Sequence, residues 1–346
     1  MGILTGLAES SFFPDCLKRQ GIRFLLRQRL SEISTTEEES NRKSMWDQLV
    51  NSPIALHVEK ANEQHYEVPS EFFERVLGRH LKYSSCFWPE DVEDLDEAEY
   101  RMLKLTCHRA DIQNGQDILE LGCGWGSLTL FMASTYPESK VTAISNSASQ
   151  RSFIMGKAKE MDLTNIEVVT CDMNDFGTNQ TYDRVVSVEM FEHMRNYKDL
   201  MERISNWLKP DGKLFVHIFC HQSHTYTFET KGEHNWMGRF FFTGGLMPSF
   251  HLLPQFQDDL ELDEQHKVNG THYAKTARAW VNNMDKHKKW ILQTFNQVYG
   301  QGRGSIWFQR WRLFFMACEE CFGYSNGNEW WVGHYLFKNT KKDTSP

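Results

Sequence analysis

Two carboxylates and an imidazole, Glu189, Glu192 and His193, follow directly on the apolar run of residues 182–188. That run reads as a buried strand, so the three groups leave its end together. If the chain turns helical at Glu189, the i, i+3 and i+4 spacing puts them on one face. Such a set can hold a cation and take a proton from it. His193 is the better base, because an unperturbed imidazole with a pKa of about 6.5 is mostly neutral near pH 7. A solvated helix start would also favour acids through its dipole, so the surroundings of the cluster decide between the readings.

Those surroundings point to a nucleotide-like ligand. Residues 118–126, Ile-Leu-Glu-Leu-Gly-Cys-Gly-Trp-Gly, run an apolar strand into glycines at Gly122, Gly124 and Gly126, and helical spacing resumes at Leu128. A ligand can approach that bare backbone closely. A nicotinamide dinucleotide site would want Gly-x-Gly-x-x-Gly and an acid about 20 residues further on. Here the next strand, 140–145, ends in Asn146 with Gln150 one helical turn later, and neither is acidic. Glu120 lies inside the glycine turn. Asp172, at the end of a third apolar run, is placed to accept hydrogen bonds from an adenine amine or a ribose. This layout is that of an S-adenosylmethionine (SAM) methyltransferase.

An open α/β sheet is needed to bring these groups together. Apolar runs near 117–121, 140–145, 166–170, 183–188 and 213–219 alternate with helical stretches. That alternation predicts a mostly parallel sheet with helices on both faces, a Rossmann-like class I methyltransferase core over residues 111–220. Residues 1–110 read as an N-terminal helical region closing over the SAM site, with helices near 17–33 and 97–110 and an acidic break at 37–39. Residues 221–325 read as an aromatic-rich, mainly helical cap with a helix over 275–298, and 326–346 as a return strand and tail.

Composition narrows the partners. A net charge of −8 argues against nucleic acid or another polyanion. The eight cysteines are scattered, and Cys318 and Cys321 lack the second pair of a zinc site, so reduced thiols and no metal are expected. No export leader or membrane-length apolar run is visible, which predicts a cytoplasmic enzyme without a membrane span. The Asn179 and Asn269 sequons are then incidental, and Gly6 argues against myristoylation after Met1-Gly2. A homodimer stays open.

Longer motifs are more specific. They include Lys82-Tyr83-Ser84-Ser85-Cys86-Phe87-Trp88, the glycine turn, Ile144-Ser145-Asn146-Ser147 with Gln150, and Ser187-Val188-Glu189-Met190-Phe191-Glu192-His193-Met194. Further on stand Phe240-Phe241-Phe242-Thr243-Gly244-Gly245, Met247-Pro248-Ser249, Phe256-Gln257-Asp258-Asp259, Gly270-Thr271-His272-Tyr273 and Phe322-Gly323-Tyr324. Over roughly residues 44–338 the chain resembles the plant N-methyltransferases of benzylisoquinoline alkaloid metabolism (coclaurine, pavine and tetrahydroprotoberberine N-methyltransferases), themselves similar to cyclopropane-fatty-acid synthases.

The resemblance implies methyl transfer from SAM to the nitrogen of a small aromatic amine of (tetrahydro)isoquinoline type, releasing S-adenosylhomocysteine. It puts Tyr83, Ser84, Gly122, Gly124, Asn146, Gln150, Asp172, Met173 and Val188 around SAM, and Glu189, Glu192 and His193 in catalysis. Tyr66 and Glu67 match a segment that reaches the active site. Aromatic residues of the cap are individually more often core than ligand contacts, yet an aromatic wall suits a flat cationic ligand. Phe241 and Trp330 are the expected substrate walls.

Two alternatives are carried. Cyclopropane-type methylation of a lipid alkene is one, since the synthases' bicarbonate set, by resemblance, partly survives as Glu192, His217 and Tyr273. Against it, Ser85 stands where the synthases have cysteine and Glu189 where they have glycine. Cys318 matches a cysteine once assigned a catalytic part by analogy, and reads here as structural. The other alternative is a non-catalytic module that binds SAM or an apolar ligand.

Overall fold

The sheet grows from five apolar runs. β1 (Asp117–Leu121), β2 (Lys140–Ser145), β3 (Ile166–Thr170), β4 (Tyr182–Val188) and β5 (Leu208–His221) lie parallel in the order β3-β2-β1-β4-β5. Ile118, Leu119, Leu121, Val185 and Val186 are fully buried. Parallel strands covered on both faces read as continuous apolar runs in this way, which is why the sequence exposes them. The computed structural model describes residues 9–10, 12–35, 39–56, 68–232 and 235–340.

Topology places the site. From β1 the chain steps outward to β2 and β3, then returns to β4 on the other side of β1. A crevice opens at the carboxyl ends of strands where the order reverses. Leu121 pairs with Ser187 there, so the glycine turn after β1 and the carboxylates after β4 emerge side by side.

The sheet is larger than expected. Besides the small pair β6 (Tyr226–Thr227) and β7 (Leu246–Met247), the cap region supplies β8 (Leu260–Val268). β8 lies at the sheet edge, antiparallel to the return strand β9 (Trp330–Asn339), which is itself antiparallel to β5. Residues 221–325 are therefore not only a cap. The strand Leu-Glu-Leu-Asp-Glu-Gln-His-Lys-Val lacks an apolar run because an edge strand pairs on one side only and carries charge toward solvent. β5 also starts earlier than residue 213, since a register irregularity lets Leu208 pair with Tyr182 before Lys213 pairs with Arg184, and residues 210–212 bulge within the strand instead of turning ahead of it.

Helices cover the sheet and crevice. Asp15–Thr35 and Leu95–Arg109 match the N-terminal expectations within two residues at each end, and Asp94 caps the second by accepting from the Glu97 N–H at 2.9 Å. Residues 37 and 38 of the expected acidic break lie outside the described residues, and Glu39 already opens the helix Glu39–Asn51. In the cap, Gly270–Lys286, Lys288–Tyr299 and Gly304–Phe322 pack around Trp280, Trp311 and Phe315, with Phe72, Phe73 and Phe295 in the same core. Each such buried aromatic contributes roughly 1.5–3 kcal/mol, so the cap is a packed layer rather than a loose cover. Helix Asp15–Thr35 docks on Gly304–Phe322 through Arg19, which donates to Glu319 at 2.8 Å and Glu320 at 2.7 Å, and through Asp15, which accepts from Arg312. Among the described residues no helix is long and apolar enough to cross a membrane.

Candidate active site

The glycine turn shows why three glycines are needed. Gly122, Gly124 and Gly126 have φ of +77°, +52° and +82°, which residues with a Cβ rarely adopt. A Cβ on Gly122 would stand 2.6 Å from Met190 Cγ, and one on Gly126 2.6 Å from Ile154 Cγ1. One on Gly124 would meet nothing within 4 Å. The outer glycines serve packing, and the middle one leaves room at the wall of a cleft.

That cleft has two adjoining lobes that share Gly122, Gly124, Gln150 and His193 as walls. Tyr83, Ser84, Val188, Glu189 and Glu192 line the larger. Asn146, Asp172 and Met173 line the smaller. All nine residues expected around SAM and all three expected in catalysis thus face one cleft. Several buried polar atoms there have no hydrogen-bond partner among the described residues: Gln150 Nε2, Trp125 Nε1 and Ser127 Oγ. Buried donors are normally satisfied, so the walls fit a polar ligand such as the ribose and amino-acid portions of SAM. Trp125 and Ser127 went unrecognised in the sequence, although both adjoin the last glycine of the turn.

β4 delivers the carboxylates, but not on a helix face as expected. Glu189 is a single left-handed residue, with φ +47°, before the short 3-10 turn Phe191–His193. A non-glycine residue there is strained and persists only when its surroundings hold it. Here Glu189 Oε2 accepts from Tyr273 Oη at 2.7 Å, and Oε1 accepts from the Ser85 N–H at 3.0 Å and faces His217 Nε2 at 3.3 Å. His217 and Tyr273, two members of the set that by resemblance holds bicarbonate, are thus engaged by a carboxylate of the chain itself. Burial raises the Glu189 carboxyl above its ordinary range, and Lys82, Tyr273 and the Ser85 N–H oppose that rise.

Glu192 sits deeper. It is 1% exposed, and its Oε2 has no hydrogen-bond partner among the described residues. Burial first, then the neighbouring Glu189, pushes its carboxyl well above the ordinary range. The His193 ring stacks on Phe242, with centroids 5.7 Å apart and planes 3° from parallel. Lys82 completes the site as a buried cation. It donates to Ser84 Oγ at 2.5 Å and to the Ser85 carbonyl at 2.8 Å, and burial lowers its ammonium pKa.

Expectations for the substrate wall change. Phe241 is 1% exposed and stacked on Phe314 at 4.3 Å, while Trp330 is fully buried and donates from Nε1 to Tyr226 Oη. Neither lines the cleft; Phe242, Phe314 and Trp280 do. Phe241 and Phe242 follow the short helix Trp236–Phe240 and both pack on Phe314, so the sequence alone does not say which of them reaches the cleft. Tyr66 and Glu67 lie outside the described residues. Cys318 is buried with its thiol pushed up by burial, a poor nucleophile, in keeping with a structural part.

Glu120 yields a pH prediction. Burial lifts its carboxyl from 4.5 to about 8, against the one lowering contact from Thr129 Oγ1. A raised folded-state pKa means stability that is complete below the unfolded value and lost as pH rises through the folded one. Between pH 4.5 and 8, ligand-free protein should therefore lose up to about 1.4 kcal/mol per pH unit relative to Glu120→Gln. Glu99, raised to about 7 by burial, is common to both proteins and cancels. Thermal melts of the pair at pH 5 and pH 8 check this, and equal pH dependence would refute it.

Comparison with known proteins places this geometry. A family model described as mycolic acid cyclopropane synthetase matches residues 56–330. An (S)-coclaurine N-methyltransferase of Thalictrum flavum subsp. glaucum is 38% identical over 95% of this chain and 93% of its own length. A pavine N-methyltransferase of the same organism is 36% identical over 82% of this chain and 81% of its own. A crystal structure of coclaurine N-methyltransferase bound to N-methylheliamine and SAH has a TM-score of 0.91 at 35% identity, covering 97% of this chain and 99% of that one. Matches of this extent, over the cleft and the cap alike, make the chain a member of the mycolic acid cyclopropane synthetase family, on its coclaurine and pavine N-methyltransferase side.

Proposed function

We propose that this protein is a SAM-dependent N-methyltransferase of a small aromatic amine, of tetrahydroisoquinoline or related alkaloid type. One observation carries the reading: two buried carboxylates face one cleft, and Glu192 Oε2 has no hydrogen-bond donor among the described residues. A protonated amine supplies both the missing donor and the missing positive charge, whereas an alkene supplies neither. Aromatic faces at Phe242, Phe314 and Trp280 suit a flat cationic ring.

The residues divide the work. Glu189, fixed by three contacts, and Glu192 hold the ammonium. His193, resting on Phe242, accepts its proton and frees the nitrogen lone pair. When bound, SAM would supply a methyl group on a cationic sulfur; the nitrogen lone pair would form the new N–C bond as the C–S bond breaks, its electron pair leaving on the neutral thioether of S-adenosylhomocysteine. Holding donor and acceptor aligned is worth roughly 7–11 kcal/mol of such a barrier. Asp172, whose Oδ1 accepts the Asn174 N–H at 2.7 Å at the wall of the smaller lobe, is the proposed adenosyl anchor. Asp172→Ala should weaken SAM by about 1–3 kcal/mol without unfolding the protein. Unchanged affinity by calorimetric titration would remove Asp172 from the site. All eight cysteines are free thiols, which supports a cytosolic location.

The test is turnover. Protein and SAM are incubated with a tetrahydroisoquinoline, a protoberberine, a simple phenylalkylamine and unsaturated phospholipid vesicles, and S-adenosylhomocysteine release is followed. Release with an amine and not with the lipid is the expected result. Release with lipid alone would support the cyclopropane alternative, and release with none would support a binding module.

A further inference from the structure

A file of buried side chains runs behind Glu189, through the sheet, to the far end of a helix. Glu189 Oε1 faces His217 Nε2 at 3.3 Å. His217 Nδ1 faces His334 Nε2 at 2.8 Å, and His334 Nδ1 faces Arg109 Nη1 at 2.8 Å. His217 on β5 and His334 on β9 are direct partners across the antiparallel pair, and both are 0% exposed. Arg109 is the last residue of the helix Leu95–Arg109.

Arg109 gives the file a direction. A guanidinium has donors only and stays protonated in proteins. His334 Nδ1 must then accept, so the proton of a neutral ring lies on Nε2 and points at His217. His217 Nδ1 accepts it in turn, which leaves the His217 proton on Nε2, aimed at Glu189. Burial, and next to it the nearby cations, hold both rings far below the ordinary imidazole pKa and therefore neutral.

We infer that Arg109 and His334 are positioning residues for the methyl transfer: through two histidines of fixed tautomer they present an N–H to Glu189 and keep it an ionised acceptor for the amine. The inference rests on the proposed role of Glu189. It also closes one route, since an amine proton cannot leave along this file when its last member accepts none. The proton exits on the cleft side, where His193 stands.

Other groups also bear on these residues. Lys82, Tyr273, the Ser85 N–H and Glu192 surround Glu189. Lys82, Arg109 and His266 act on His334, and Glu264 acts on Arg109. None of them is altered in the proposed variants except Arg109.

The test joins a spectroscopic and a kinetic readout on the full-length protein. In [15N]histidine-labelled wild type, assigned by loss of each signal in His217→Gln and His334→Gln, both rings should be neutral with the proton on Nε2. Arg109→Met should release the tautomer of His334, lower kcat/KM roughly 10-fold, the worth of one hydrogen bond to a charged group, and move the acid limb of its pH profile upward. His334→Leu should do the same to the kinetics. His334→Gln, whose amide keeps an acceptor and a donor about as far apart as the ring nitrogens, should recover most of the rate. A merely structural role would lower the folded fraction without moving the limb. A proton on Nδ1 of either ring in wild type overturns the inference, as does an unmoved limb in folded Arg109→Met. If no amine is turned over, the proposed function fails, and the tautomers still decide the file's direction.

Discussion

His193→Ala should lower kcat by roughly 10²–10⁴-fold, the usual worth of a general base, while SAM binding stays close to wild type. The ring stands at the wall shared by both lobes, at the end of the 3-10 turn Phe191–His193 and flat against Phe242. Its backbone N–H donates to the Met190 carbonyl at 3.0 Å, so the turn survives loss of the side chain. Raising the pH should restore part of the rate, because more amine arrives already deprotonated, and wild-type and variant profiles should converge on the alkaline side. Loss through misfolding looks different, with weakened SAM binding and no alkaline recovery. Near wild-type kcat at pH 7 on the best amine would move the proton transfer to Glu192.

Glu192→Gln should lower kcat/KM by roughly 10²–10⁴-fold, because a buried charge deprived of its counter-charge loses about 3–5 kcal/mol. The fold should not suffer. Glu192 is 1% exposed, its Oε2 has no hydrogen-bond partner among the described residues, and burial raises its carboxyl well above the ordinary range. Such a group, raised in the folded state, costs stability as pH climbs from its unfolded value through its folded one. The ligand-free variant should therefore melt at or above the wild-type temperature at pH 8. Lower activity with unimpaired stability is the mark of a residue kept for its ligand. A variant that is active but destabilised would make Glu192 structural.

How much of this was legible in the sequence depends on what each signal encodes. β1 to β4 were legible within a residue: β1 and β4 because strands buried on both faces must be apolar, and the edge strand β3, despite exposed Glu167 and Thr170, because Ile166, Val168 and Val169 still mark it. β8 was not, since its exposed edge carries Glu261, Asp263, Glu264 and Lys267. The glycine turn and the Glu189, Glu192 and His193 cluster were legible as motifs, and strand order alone brings them to one crevice. Their local geometry was not: helical spacing suggested a shared face, whereas a left-handed Glu189 puts its carboxylate between Ser85, His217 and Tyr273. Phe241 and Phe242 are equivalent as letters and both pack on Phe314, yet only Phe242 lines the cleft. Nothing in the sequence relates Arg109 to His334, 225 positions apart, because their meeting depends on the register of β9 beside β5.

The central claim is that a methyl group reaches nitrogen. The direct measurement incubates the protein with SAM carrying a 13C-labelled methyl and 15N-labelled tetrahydroisoquinoline, and reads the product by NMR. The account predicts a product with a one-bond 13C–15N coupling, formed by wild type and strongly reduced in Glu192→Gln. A labelled methyl on carbon or oxygen without that coupling, or no transfer to any amine under conditions where SAM binds, would contradict it.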